Sequence, residues 1–129
     1  MMMQPNMASK LLTPLELRVM NILWDLRLAF VKDILDEWNE PTKPAYNTIS
    51  TTVRILQEKG FVQHQAHGRT HQYFPAISKL DYQRSLVSNV LQNAFAGSVS
   101  SLVSALVETN QISNTELDEL QQLINNSKL

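Results

Sequence analysis

The side chains of this sequence best suited to chemistry are a run of hydrogen-bonding groups, Asn47, Thr48, Ser50 and Thr51, followed by Arg54. They lie in YNTISTTVRILQEKG, residues 46–60. Threonine and serine are mediocre helix formers, because branched side chains lose rotamer freedom and short hydroxyls compete for backbone hydrogen bonds. Yet Ile49, Val53 and Leu56 fall within about 60° of one another on a helix turning about 100° per residue, and Glu58-Lys59-Gly60 closes the stretch where a left-handed cap is common. The spacing predicts an amphipathic helix from about Tyr46 to Lys59, with Thr52 bordering the buried side. The opposite half presents Asn47, Ser50, Thr51 and Arg54, with Gln57 and Glu58. Small hydroxyls let a backbone approach a major groove closely, Asn pairs with adenine, and Arg pairs with guanine or holds a phosphate. The N-terminal end of such a helix faces the bases, which makes Asn47, Thr48, Ser50 and Thr51 the candidates for reading and Arg54 a candidate for base or phosphate.

A second polar cluster follows in FVQHQAHGRTHQYFP, residues 61–75. Here the period changes from helix to strand, with strands near Val62 to Ala66 and Thr70 to Phe74 and a turn at His67-Gly68. Arg69 at the tip would reach a phosphate or a narrow minor groove, and His67, Thr70 and His71 would add phosphate hydrogen bonds. His64, His67 and His71 also raise the question of a metal, since imidazole is a common zinc ligand. Three histidines across a hairpin tip need not converge and no cysteine supports them, so no metal or other cofactor is expected.

These groups need elements to hold them. Thr13-Pro14-Leu15-Glu16 has the N-cap, first-position proline and third-position glutamate of a helix start, and a helix is predicted from there to about Asp25 or Leu26. A second runs from about Phe30 to Trp38, with Val31, Ile34, Leu35 and Trp38 on one side, and ends before the prolines 41 and 44. Three helices and then a hairpin is the chain order of a winged helix-turn-helix, predicted over residues 10–77. From Ser78 onward the pattern is helical again: about Lys79 to Ala94, Val99 to Val107, and Ser113 to Asn126, the last opened by a second S-x-x-E signature. Fewer than sixty residues of thin amphipathic helices bury little core alone, so residues 78–127 are expected to form a dimerisation domain. The expected fold class is mainly α with a small β-hairpin, an N-terminal winged helix-turn-helix followed by C-terminal helices.

Composition restricts the alternatives. Cysteine is absent, which removes disulfides, thiolate metal sites and cysteine nucleophiles and fits a reducing cytoplasm. MMMQPNMASK has no basic region followed by an apolar run, and no stretch approaches a membrane span. The net charge of −1 argues against a nucleic-acid binder taken as a sum. Its distribution argues the other way: Lys43, Arg54, Lys59, Arg69 and Lys79 face only Glu58 between residues 41 and 80, while acids collect on both flanks. There is no glycine-rich phosphate loop and no H-E-x-x-H, so an enzyme is not expected. The competing reading is a winged-helix module that binds protein rather than DNA.

TPLELRVMNILW, YNTISTTVRILQEKGFV and GRTHQYFP, in this order and spacing, resemble the penicillinase repressors of the BlaI/MecI type, with copper-responsive CopY-type repressors as relatives. GSVSSLVSALVE and the S-x-x-E-L-x-E-L helix continue the likeness, which covers about residues 11 to 127. The resemblance implies a cytoplasmic homodimer binding a palindromic double-stranded operator. Where relatives carry bulky basic residues early in the recognition helix, this chain has Asn47 and Ser50, which implies a different operator. The copper branch requires C-terminal cysteines, and none are present. In the penicillinase branch, a membrane-embedded sensor metalloprotease leads to cleavage within the dimerisation helices. The corresponding position is Ala105-Leu106, where those relatives have Asn-Phe.

Overall fold

The computed structural model describes residues 11–127; the N-terminal MMMQPNMASK lies outside them. In chain order it contains α1 (Pro14–Leu26), α2 (Val31–Asp36), α3 (Tyr46–Glu58), β1 (Val62–His67), β2 (Thr70–Pro75), α4 (Lys79–Ala94), α5 (Val99–Glu108) and α6 (Asn114–Asn126). The chain divides into two compact units, one ending at Val87 and the other beginning at Ser88. By packing, the first turns of α4 therefore belong with the winged helix: Tyr82 is buried there, its ring 5.8 Å from those of both Trp24 and Phe61.

α1 starts with a complete capping box, in which the Glu16 N–H donates to Thr13 Oγ1 at 3.1 Å and the Thr13 N–H donates to Glu16 Oε1 at 2.8 Å. Its apolar stripe buries Val19, Met20 and Leu23 completely. α2 is shorter than the periodicity predicts, ending at Asp36. Trp38 N–H turns back to the Leu35 carbonyl at 3.1 Å, and the indole remains buried beneath the Arg18 guanidinium, 5.1 Å from the ring centre. The apolar spacing of α2 continues past its last helical hydrogen bonds because the tight turn keeps Trp38 on the core side.

α3 buries Ile49, Val53 and Leu56 and ends on Gly60 at φ 90°. There the Phe61 N–H donates to the Leu56 carbonyl at 2.9 Å and the Gly60 N–H to that of Gln57 at 3.0 Å. This double bond pattern satisfies carbonyls that a helix end leaves open, and it seals Phe61 against Leu56 in the core. β1 and β2 pair antiparallel from Val62↔Pro75 to His67↔Thr70. Gly68, at φ 62°, takes the first position of the two-residue loop, where a type II′ turn needs positive φ. A third, single-residue strand was not foreseen: Ala29 exchanges both backbone hydrogen bonds with Tyr73, at 2.9 and 2.7 Å, and fixes the hairpin to the helices. This first unit is a winged helix-turn-helix.

In the second unit, α5 is capped by Ser98 and α6 by a capping box of Ser113 and Glu116. Neither helix has a fully buried residue. Val99, Val107, Leu117, Leu120, Leu123 and Ile124 are exposed, the last two at 61% and 62%. Among the described residues no single helix is long and apolar enough to cross a membrane.

Candidate nucleic-acid interface

The polar side of α3 is divided into two rows. Tyr46, Ser50 and Arg54, spaced four residues apart, line a groove of about 610 Å³. Asn47, Thr48 and Thr51 are exposed outside it. The rest of the lining comes from Phe30, Val31 and Lys32 around the start of α2, and from Arg69, Thr70, His71 and Tyr73 of the hairpin. No aspartate or glutamate lines this groove. The eight predicted DNA-binding residues thus separate: Ser50, Arg54, Arg69 and Thr70 share the groove, while Asn47, Thr48, Thr51 and His67 do not.

Thr52, the remaining hydroxyl of the stretch, is buried and donates to the Thr48 carbonyl at 2.7 Å. This back-bond satisfies a hydroxyl that would otherwise lose its water partners. Gln57 is also occupied, with its Oε1 2.7 Å from His64 Nδ1, joining α3 to the first strand of the wing. Thr70 Oγ1 donates to the His67 carbonyl at 2.9 Å and closes the hairpin tip.

Strand alternation distributes the histidines. His64 and His71 lie on one face of the hairpin and stack with ring centres 4.1 Å apart, whereas the His67 ring meets Phe30 edge-on at 5.7 Å. Among the described residues no group of three or more His, Cys, Asp or Glu side chains is arranged to hold a metal ion.

Charge is distributed unevenly as well. Lys59, one of the five basic residues of the central segment, reaches Glu16 with Nζ at 2.8 and 3.0 Å from its two oxygens. Burial raises the Glu16 carboxyl, but the hydrogen bond from Lys59, the Thr13 N–H and the lysine charge outweigh it and hold the group below its ordinary value. Lys59 therefore ties α3 to α1 and adds little to the groove. Tyr73, 4% exposed, has its hydroxyl pushed up by burial, opposed by the charge of Arg54 and reinforced by Tyr46. Its place is taken among the cations of the interface by Lys32, which the acidic composition around α2 obscured. Tyr46, 53% exposed at the first position of α3, was also missed, although its four-residue spacing to Ser50 and Arg54 was a usable signal. Ala105 and Leu106 stand half-buried on α5, in the other unit.

The family model described as penicillinase repressor matches residues 12–126 of this chain. The chain belongs to the penicillinase repressor family. Among similar members, the methicillin resistance regulatory protein MecI of Staphylococcus aureus strain N315 is 28% identical over 110 residues, covering 85% of this chain and 89% of that protein. The penicillinase repressor of Bacillus licheniformis is 28% identical over 113 residues, or 88% of each. The solution structure of the DNA-binding domain of the repressor BlaI aligns with a TM-score of 0.49 at 27% identity, covering 64% of this chain and 94% of that one. The family match spans both units, so the α5–α6 segment is as much part of the family as the winged helix.

Proposed function

We propose that this chain is a DNA-binding transcriptional repressor that acts as a homodimer on a palindromic double-stranded operator. Membership of a repressor family over residues 12–126 carries the reading. The acid-free groove and the exposed row of Asn47, Thr48 and Thr51 supply the chemistry: cations for phosphates and short polar groups for base edges. Dimerisation is supported by α5 and α6, whose apolar stripes find no cover within their own unit. A symmetric partner supplies that cover, and places two winged helices on two half-sites.

Release from DNA follows by cleavage of α5 at Ala105-Leu106 by a membrane-embedded sensor metalloprotease. Cutting this helix removes the dimer contact, and with it the gain in affinity from holding both half-sites at once. The near-zero net charge favours one rival, a winged-helix module that binds protein.

Selection of bound sequences from a random duplex pool separates these readings. The repressor enriches a two-fold symmetric site whose affinity falls steeply with salt. Recovery of no preferred sequence rejects it. Incubating the dimer with membranes containing the cognate sensor tests the release step: fragments ending at residue 105 support it, and an intact chain under inducing conditions counts against it.

A further inference from the structure

The two rows of α3 differ in shape as well as in chemistry. Asn47, Thr48 and Thr51 protrude, whereas Tyr46, Ser50 and Arg54 form one wall of a channel. A duplex offers complementary shapes. Its base edges lie at the bottom of a major groove about 8.5 Å deep, within reach only of a projecting surface, and its sugar–phosphate strands are its outermost ridges. A concave channel therefore fits a strand and not a base pair. The lining agrees: Lys32, Arg54 and Arg69 provide cations without a competing carboxylate, Ser50 provides a hydroxyl, and Tyr46 and Phe30 provide apolar faces suited to deoxyribose.

From this, we propose that the groove seats the sugar–phosphate backbone of one DNA strand. Arg54 and Lys32 are phosphate contacts that set the register, Tyr46 packs on a sugar, and base reading falls to Asn47, Thr48 and Thr51. The inference rests on the proposed DNA binding and resolves within it whether Arg54 reads bases or phosphate. It also accounts for Lys32 and Tyr46, exposed residues with no part in the core.

The test uses the full-length chain and the duplex enriched by selection. Arg54→Ala and Lys32→Ala are expected to weaken all duplexes by a similar factor, about tenfold for the arginine, and each to reduce the slope of log affinity against log salt by about 0.9. Base preference stays the same. Arg54→Lys restores most of the affinity, as a point charge does at a phosphate but not at a guanine needing a two-pronged donor. Asn47→Ala and Thr51→Ala change the preferred base at one or two positions and leave the salt slope alone. Replacing single phosphates by neutral methylphosphonates locates the contact: one linkage per half-site weakens the normal chain but causes no further loss in Arg54→Ala.

Several results overturn the inference. A changed base preference in Arg54→Ala with an unchanged salt slope makes Arg54 a reader. Absence of any linkage coupled to Arg54 or Lys32 removes the strand from the groove. Both results leave sequence-selective binding standing, whereas failure of every duplex to show selective binding defeats the repressor reading itself. Circular dichroism and thermal melting of each variant verify that lost affinity does not reflect lost fold.

Discussion

α1 and α6 make a controlled comparison. Each has 13 residues, each opens with a hydroxyl N-cap answered by a glutamate three residues on, and each carries an apolar stripe. α1 buries Val19, Met20 and Leu23 completely, while α6 leaves Leu123 and Ile124 more than half exposed. Local sequence quality is equal; the difference is what each stripe meets. α1 lies against α3 and the hairpin, so its stripe is one side of a closed core. The second unit has only thin helices, and all the buried apolar residues of the described chain fall between Val19 and Tyr82. A capping box defines where a helix starts, but it does not say whether the helix has a core to join.

Substitutions at matched positions sharpen this contrast. The largest effect is expected in the closed core, where Phe61→Ala should lower the unfolding free energy of the first unit by about 3–5 kcal/mol, measured by urea denaturation. A loss below 1 kcal/mol would show that this core is far looser than its burial indicates.

Next comes the open stripe. Leu123→Asp should leave first-unit stability nearly unchanged while converting dimer to monomer. Each apolar side chain covered at the interface contributes roughly 1.5–3 kcal/mol and occurs twice in a symmetric dimer. Sedimentation equilibrium at micromolar concentration reads the mass, and a dimer that survives the substitution would place the interface elsewhere.

The Glu16–Lys59 pair is intermediate. Glu16→Gln should cost roughly 1–3 kcal/mol, because a charge-assisted contact and one arm of the cap weaken together. The sign with pH is fixed by the lowered carboxyl: its contribution is present above the ordinary value of 4.5 and disappears as pH falls through the still lower folded value. The gap between the normal chain and Glu16→Gln should therefore be wide near neutrality and close in acid. A gap independent of pH between 2 and 7 would contradict the ion pair, on the scale of the carboxylate range.

The smallest effects are at the caps themselves. Thr13→Ala and Ser113→Ala should each cost about 1 kcal/mol. They should be read in different transitions, the first in unfolding of the winged helix and the second only in the stability of the assembled dimer. If both substitutions shift the same single transition equally, the two units unfold together and the contrast dissolves.

Much of this was legible in the sequence because it is set by neighbours along the chain. Thr13 and Glu16 identify the start of α1, Ile49, Val53 and Leu56 identify the inner side of α3, and Gly60 marks its end through a positive φ that other residues adopt at a cost. Gly68 likewise marks the hairpin turn. Only the tertiary structure paired Ala29 with Tyr73, turned Lys59 away from the groove toward Glu16, and separated Tyr46, Ser50 and Arg54 from Asn47, Thr48 and Thr51. Periodicity distinguishes an inner from an outer side of a helix. It cannot divide the outer side further, because that division is made by α2 and the wing, elements distant along the chain that become neighbours of α3 only when the core closes.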